Sequence, residues 1–198
     1  MKMKFSRLTG QITLCAALAT MAFGDPLEQT GLLPLRSMQP ALDGAGVKVA
    51  VPEGNLGDAW QISPAAVGQP ESKFRWISSG GTATTFPNGL GTESDHANIV
   101  GKHLFGISGG MAPGVDQIDN YLASHFVESI IFAAVPPSIE ASIVNQSFVF
   151  PSQDANAEKR FDNYAATHNV LFVSGVGNGG TVLPPGTAYN GIGVGVSD

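Results

Sequence analysis

The sequence contains a single cysteine, Cys15, and few charged residues. Because Cys15 lies among the first two dozen residues, the rest of the chain has no disulfide, thiol nucleophile or thiolate ligand for zinc. Charged residues make up 13% of the chain and form no run, which excludes a coiled coil or a disordered charged tail. Basic residues are also scarce, at 10 lysines and arginines against 16 acidic residues. We therefore expect no nucleic-acid partner, because no basic surface is present to displace counterions from phosphates.

Apolar residues, in contrast, are abundant and lie in short runs separated by glycine and proline. Hydrophobic residues form 43% of the sequence, with 25 glycines and 13 prolines. Apolar and β-branched runs predict strands at 47–51, 74–77, 142–150, 170–173 and 191–196, and helical periodicity predicts helices at 95–105, 123–135 and 155–168. Strands that alternate with helices are typical of βαβ units. The pattern therefore predicts an α/β domain with a mostly parallel sheet.

The first residues have the pattern of an export signal. Three basic residues precede an apolar stretch at 14–23, and Ala22 and Gly24 supply the small side chains that a signal peptidase requires. We expect residues 1–24 to be a cleaved signal peptide and the mature chain to be secreted or periplasmic. The apolar stretch is too short to span a membrane. Residues 25–45 lack clear periodicity and are predicted to form an N-terminal segment on the surface of the domain at 46–198.

Several short segments carry a family resemblance through their sequence and their order. They are residues 47–54 (VKVAVPEG), 95–101 (DHANIVG), 110–115 (GMAPGV), 143–148 (IVNQSF), 171–178 (LFVSGVGN) and 184–198 (PPGTAYNGIGVGVSD). In this order they resemble segments of the subtilisin-like serine proteases. The resemblance implies a three-layer αβα fold with a mostly parallel sheet. It also implies a serine endopeptidase, which hydrolyses a polypeptide substrate through an acyl-enzyme.

By this resemblance, His96 at the start of the 95–105 helix is the general base of a catalytic triad. Glu53 stands where most members of the family carry the aspartate that orients the histidine. A glutamate carboxylate can also hold the imidazole in the required tautomer, although its longer side chain shifts the hydrogen bond by roughly a bond length. Asp58 and Asp95 are the alternative acids. Asp58 lies several residues beyond the strand, and Asp95 is expected to cap the helix.

The remaining site residues also follow from the resemblance. Asn178 is similar to the family's oxyanion donor, whose side-chain amide faces the developing negative charge. The alternative for Asn178 is a turn residue of the glycine-rich loop around it. Asn145, Ser147, Ser174 and Gly175 resemble the family's substrate-cleft positions, where an extended peptide pairs with strand edges.

No cofactor or metal site can be assigned from the sequence. The chain has neither an HExxH motif nor a calcium-loop pattern, so we predict no metal ligand. A structural calcium ion is compatible with the family, but no residues can be assigned to it. The glycines at 175, 177 and 180 match the spacing of a dinucleotide-binding loop, but Pro184 and Pro185 exclude the helix that this motif requires. Nothing in the sequence indicates an oligomeric state.

One element of the family pattern has no counterpart in the sequence. In subtilisin-like proteases the nucleophilic serine lies in a Gly-Thr-Ser-Met-Ala-x-Pro segment, downstream of a strand like that at 191–196. This sequence contains no such segment after its other motifs. We therefore expect a peptidase domain that is incomplete at its C-terminal end and inactive alone. The alternatives are a truncated fragment and a non-catalytic relative that binds peptides without cleaving them.

The export signal leads to a first prediction. Expression of the chain in a secreting host should give a mature protein that begins at or near Asp25, because the small residues before it form the cleavage site. N-terminal sequencing of the exported product tests this. An exported protein that retains Met1 would contradict the prediction.

Overall fold

A seven-stranded sheet forms the centre of the computed structural model, which describes residues 26–195. The strands are β1 (Lys48–Glu53), β2 (Ala59–Gln61), β3 (Phe74–Ser78), β4 (Gly81–Ala83), β5 (Thr92–Glu93), β6 (Gln117–Leu122), β7 (Ile143–Gln146), β8 (Leu171–Gly175) and β9 (Gly191–Val194). The α-helices are α1 (Pro26–Gln29), α2 (Leu32–Met38), α3 (Pro64–Val67), α4 (Asp95–Phe105), α5 (Ala123–His125) and α6 (Ala155–His168). A 3₁₀ turn (Glu71–Lys73) precedes β3, and a π-helix (Phe126–Ile131) continues α5.

The main sheet has the strand order β4-β3-β6-β1-β7-β8-β9, and β2 pairs separately with β5. Within the main sheet only β4 is antiparallel to its neighbour. β1 occupies the middle, between β6 and β7, because its β-branched and small residues can be buried on both faces. The fold class predicted from the sequence, α/β with a mostly parallel sheet, is therefore confirmed.

Helices cover both faces of the sheet and enclose two hydrophobic clusters. Alternation along β1 sends Val49 and Val51 into one cluster and Ala50 into the other. The first cluster lies beneath α4 and contains Trp60, Ile62, Phe74, Trp76, Ala97 and Phe105. The second lies beneath α6 and contains Phe126, Val144, Phe161, Tyr164 and Phe172. This arrangement gives three layers, with β1 at the centre of the middle one.

Several predicted elements differ in extent from the observed ones. β1 continues to Glu53, beyond the predicted end at residue 51. The helix predicted at 123–135 ends at Ile131, and its part from Phe126 to Ile131 is π-helical, with Phe126 and Ile131 both buried in the second cluster. The strand predicted at 142–150 includes only Ile143–Gln146. α4 and α6 have the predicted bounds.

The sequence pattern does not predict β6, because this strand buries polar side chains. Asp119 and Asn120 are both fully buried. Asp119 accepts hydrogen bonds from Arg75 Nε at 2.7 Å and Arg75 Nη2 at 2.6 Å, and from Gln117 Nε2 at 3.0 Å. Asn120 accepts a hydrogen bond from the backbone of Ile62. Partners distant in sequence satisfy these groups, so hydrophobic alternation is lost although the strand lies inside the sheet.

The N-terminal residues of the described part form α1 and α2. The Arg36 guanidinium on α2 donates hydrogen bonds to the carbonyl oxygens of Gly110 at 2.7 Å and Met111 at 3.1 Å, which holds this segment against the loop after α4. The predicted signal peptide lies outside the described residues. The strand predicted at 191–196 ends at Val194, and of its predicted residues only Val196 lies outside the described part. Within residues 26–195, no helix has the length and apolar character needed to cross a membrane.

The ion pair between Arg75 and Asp119 leads to a second prediction. Arg75→Met leaves the Asp119 carboxylate buried with only Gln117 as a partner. We expect the free energy of unfolding to fall by about 3–5 kcal/mol, the usual cost of removing one partner of a buried pair. Urea denaturation measures this change.

Lys48→Met is the matched control. Lys48 pairs with Glu140, and the two side chains are 41% and 50% exposed. Its removal should change stability much less, because exposed ion pairs contribute little. Equal losses from the two substitutions would show that the burial of Asp119 does not govern the effect.

Candidate active site

Four segments of the chain converge at one edge of the main sheet. β1, β7 and β8 are neighbouring parallel strands, so their carboxyl ends meet at this edge. Glu53 is the last residue of β1, and Ser147 follows the last residue of β7. β8 ends at Gly175 and leads into the loop that contains Asn178. α4 begins at the same edge, because a helix that connects parallel strands runs back antiparallel to them.

The start of α4 places His96 in the first helical turn. Ser94 caps the helix, and its hydroxyl oxygen accepts a hydrogen bond from the backbone N–H of Ala97 at 3.3 Å. The expectation that Asp95 is the cap is therefore wrong. Asp95 is the first helical residue and is exposed, because the extended backbone needed for capping occurs one residue earlier, at Ser94.

The structure brings His96 and Glu53 into direct contact. Glu53 Oε2 lies 2.8 Å from His96 Nδ1. The Glu53 side chain is 1% exposed, whereas the His96 side chain is 59% exposed. Alternation along β1 explains the direction of Glu53, since it shares the α4 side of the sheet with Val49 and Val51. Among the described residues, neither Asp58 nor Asp95 is hydrogen-bonded to His96, so Glu53 is the acid that contacts the imidazole.

Burial changes the acidity of Glu53. Loss of water around the carboxyl group raises the pKa of Glu53 from 4.5 to about 7, although the hydrogen bond to His96 acts in the opposite direction. Glu53 Oε1 is buried and has no hydrogen-bond partner among the described residues. His96 therefore supplies the hydrogen bond that stabilises the ionised carboxylate.

A cleft of about 270 Å³ opens beside this pair. It is lined by His96, Ser147, Phe148, Val149, Gly175, Gly177 and Asn178. Four of the seven predicted site residues line it, namely His96, Ser147, Gly175 and Asn178, and Glu53 lies behind His96. The Asn178 side chain is exposed, and its amide forms no hydrogen bond to the residues that the structure describes. It is therefore free to donate to a ligand in the cleft.

The other two predicted cleft residues lie farther back. Asn145 Nδ2 donates a hydrogen bond to Ser147 Oγ at 3.2 Å, so Asn145 contacts the cleft through Ser147. Ser174 is buried and its hydroxyl donates to Gln146 Oε1 at 2.8 Å. Ser174 does not line the cleft, because alternation along β8 turns its side chain to the same face as Phe172, towards the second cluster.

The cleft also includes residues that the sequence motifs do not single out. Phe148 and Val149 form an apolar wall directly after Ser147. Gly177 has a φ of 99°, a left-handed conformation that favours glycine, and it turns the chain so that Asn178 reaches the cleft. In the sequence, the only indication that these residues belong to the cleft is their position near Ser147 and Asn178, which the family resemblance identifies.

The described residues do not provide a nucleophile in contact with the base. Within residues 26–195, no serine hydroxyl is hydrogen-bonded to His96. Ser94 caps α4, and Ser147 accepts from Asn145. The same residues contain no group of three or more His, Cys, Asp or Glu side chains placed to hold a metal ion.

Comparisons with known proteins show the fold. No family model matches the sequence, and no curated protein matches it. Among solved structures, the chain is similar to one described as "PatG macrocyclase in complex with peptide", with a TM-score of 0.54 and 14% sequence identity. The alignment covers 88% of this chain but 65% of that one, so this chain spans less than two thirds of its structural neighbour. This similarity supports the subtilisin-like arrangement of strands and helices implied by the motifs.

The buried Glu53 carboxyl group leads to a third prediction. Because its pKa is 4.5 before burial and about 7 after it, the folded protein holds this proton more tightly than the unfolded chain. The resulting stabilisation is complete below pH 4.5 and is lost as the pH rises to about 7. Glu53→Gln removes this titration. Relative to wild type, the variant should gain about 2–4 kcal/mol in free energy of unfolding between pH 4 and pH 8.

Chemical denaturation across this pH range, with Glu71→Gln as the control, tests the prediction. Glu71 is exposed, so its substitution should leave the pH dependence unchanged. If wild type and Glu53→Gln have parallel stability curves, the carboxyl group is not desolvated as the geometry indicates.

Proposed function

We propose that this chain carries the acid, base and oxyanion donor of a serine-type endopeptidase site that acts on polypeptides. The observation that supports this most directly is the hydrogen bond from the exposed His96 imidazole to the buried Glu53 carboxylate. A buried acid that orients an accessible imidazole is the arrangement that activates a hydroxyl nucleophile. The free amide of Asn178 lies in the same cleft.

In the proposed mechanism, His96 is the general base. Donation of Nδ1–H to Glu53 leaves the lone pair on Nε2, which faces away from the carboxylate and can accept a proton from a serine hydroxyl. The hydroxyl oxygen then attacks the peptide carbonyl carbon. His96 returns the proton to the leaving amine, and water later releases the acyl group by the same proton transfers. Glu53 stabilises the imidazolium that forms in each half-reaction.

Asn178 is the proposed electrophilic residue. Its side-chain NH₂ donates to the carbonyl oxygen as negative charge develops on it. Because no protein group among the described residues occupies this amide, substrate binding does not need to break an existing hydrogen bond. Loss of one such donor typically lowers turnover by about 10²–10³.

A polypeptide is the proposed substrate. The cleft lies at strand ends, where an extended peptide can pair with backbone groups, and Phe148 and Val149 offer an apolar surface for a side chain. The PatG structure with a similar fold is described as a complex with a peptide, which is consistent with this class of ligand. Within residues 26–195 no serine contacts His96, so these residues do not supply the nucleophilic hydroxyl that the proposed mechanism requires.

Within residues 26–195 no serine is hydrogen-bonded to His96, and this observation also favours a second function. A relative that retains the cleft but binds peptides without cleaving them needs Ser147 and the apolar wall, but not the proton transfers of His96. A peptidase site would accelerate the reaction of a bound, activated acyl group, whereas a peptide-binding site would bind the group without accelerating its reaction. This difference is measurable on the chain itself.

A fourth prediction tests the proposed chemistry with a peptide p-nitrophenyl ester. The chain should accelerate hydrolysis above background without forming an acyl-enzyme, since a site that lacks only its nucleophile retains roughly 10³–10⁴ over the reaction in water. Because the residual acceleration of such a site comes from the oxyanion donor and from binding, Asn178→Ala should lower it by about 10², whereas His96→Ala should change it little. A fluorophosphonate probe should label no serine within residues 26–195.

His103→Ala and Asn156→Ala are the matched controls, because both side chains are exposed outside the cleft. Neither should change the rate. Ester binding without acceleration would favour the peptide-binding function. Labelling of a serine within residues 26–195 that depends on His96 would contradict the prediction and show that the described residues supply the nucleophile.

A further inference from the structure

The segment Gln61 to Ser63, which we call the bridge segment, lies between the strand that carries Glu53 and the helix that carries His96. It connects β2 to α3. Its backbone groups bond to three different elements. The Ile62 and Ser63 N–H groups each donate to an asparagine side chain, and the Gln61 carbonyl accepts from the backbone N–H of Ser94. The Ile62 carbonyl accepts from Trp76 Nε1 at 3.1 Å.

Asn120 links the bridge segment to β1. Its Oδ1 accepts from Ile62 N at 2.8 Å, and its Nδ2 donates to the Val51 carbonyl at 3.0 Å. Asn120 is 0% exposed, so neither bond can be replaced by bulk water. Val51 lies two residues before Glu53 on the same strand. Asn120 therefore fixes the bridge segment relative to the end of β1.

Asn98 makes the corresponding link to α4. Its Oδ1 accepts from Ser63 N at 2.9 Å, and its Nδ2 donates to Glu93 Oε1 at 2.6 Å. Asn98 lies two residues after His96, and Ser94, which donates its N–H to Gln61 O at 2.9 Å, lies two residues before it. The first turn of α4 is thus held to the bridge segment on both sides of His96.

We propose that Asn120 and Asn98, acting through the bridge segment, are positioning residues that set the separation of the Glu53 carboxylate and the His96 imidazole. The inference rests on the proposed function, because this separation matters only where the pair transfers protons. Neither asparagine lines the cleft or contacts the pair. Both act through the backbone of residues 62 and 63.

Such a connection is needed because the strength of a hydrogen bond depends steeply on the distance between its two atoms. The apolar contacts beneath α4 are non-directional, so they do not by themselves fix the separation of two particular atoms. The Glu53–His96 hydrogen bond requires such a fixed separation, because a shift of about 1 Å takes its 2.8 Å distance beyond hydrogen-bond range. Directional bonds between buried groups can fix this separation. The two asparagines supply such bonds between β1, which carries Glu53, and α4, which carries His96.

The His96 Nδ1–H resonance in nitrogen-15 NMR spectra of the full chain tests this proposal. The chain has four histidines, so His96→Gln assigns the signal. In wild type, the hydrogen bond to Glu53 should give a downfield proton that exchanges slowly with solvent. In Asn120→Ala and in Asn98→Ala this proton should be lost or should exchange at least tenfold faster.

Gln69→Ala is the matched control. Gln69 is also a buried amide, and its Nε2 donates to the carbonyl oxygens of Phe105 at 2.6 Å and Pro113 at 2.7 Å, at the far end of α4. It should retain the His96 signal despite a similar loss of backbone hydrogen bonds. A retained signal in both asparagine variants, or an equal loss in Gln69→Ala, would overturn the proposal.

Unfolding of both asparagine variants would also overturn it, because the asparagines would then hold the whole domain rather than position the pair. The readout does not depend on turnover. A chain without ester hydrolysis but with the predicted NMR changes would refute the proposed function and leave the structural role of the asparagines intact. Ester hydrolysis by the chain, combined with asparagine variants that keep the His96 signal, would support the proposed function and refute the positioning role of the asparagines.

Discussion

The hydrogen bond between Glu53 and His96 joins a carboxyl group inside the protein to an imidazole at its surface. Water does not reach Glu53, so its charge depends on the imidazole for stabilisation. The central position of β1 causes this burial, because the strand has neighbours on both sides and helix α4 above its end. Since Nδ1 is engaged by the carboxyl group, Nε2 is the ring nitrogen left for chemistry. Burial therefore raises the pKa of Glu53, and the contact with His96 opposes that rise while it orients the imidazole.

A glutamate at this position changes the geometry in a defined way. Its side chain is longer than that of aspartate by one carbon–carbon bond, about 1.5 Å. An aspartate on the same backbone would end short of His96 by a similar distance, unless α4 moved towards the sheet. The distance of α4 from the end of β1 therefore matches the length of a glutamate side chain at residue 53. The bridge segment, which ties α4 to β1, is the part of the structure that would have to adjust.

Much of the framework was predictable because its signals are local. The bounds of α4 and α6 follow from capping residues and helical periodicity, and α6 begins after Asp154, whose carboxylate accepts from two backbone N–H groups. His96 and Asn178 were identified from short motifs, and the fold brings both into one cleft. The proximity of Glu53 to His96 follows from strand alternation once β1 is placed at the centre.

The remaining features depend on contacts between residues far apart in sequence. The strand β6 escapes prediction because Asp119 and Asn120 have polar partners on other elements. Ser174 belongs to a motif that predicts a cleft residue, yet only the pairing of β8 shows that its hydroxyl meets Gln146 instead. The roles of Asn98 and Asn120 are invisible in the sequence, since their partners are backbone groups of a separate segment.

If the proposed function holds, the same geometry restricts where its nucleophile can act. A serine hydroxyl has to approach His96 from the side opposite Glu53, which is the open side of the imidazole. It also has to lie beside Asn178, because the attacked carbonyl must reach the hydroxyl and the amide at the same time. His96 and Asn178 line the same cleft, together with Ser147 and Gly175 at the ends of β7 and β8. A segment that supplied the serine would therefore have to enter this cleft, and its contact with His96 would cover part of the imidazole that is exposed in residues 26–195.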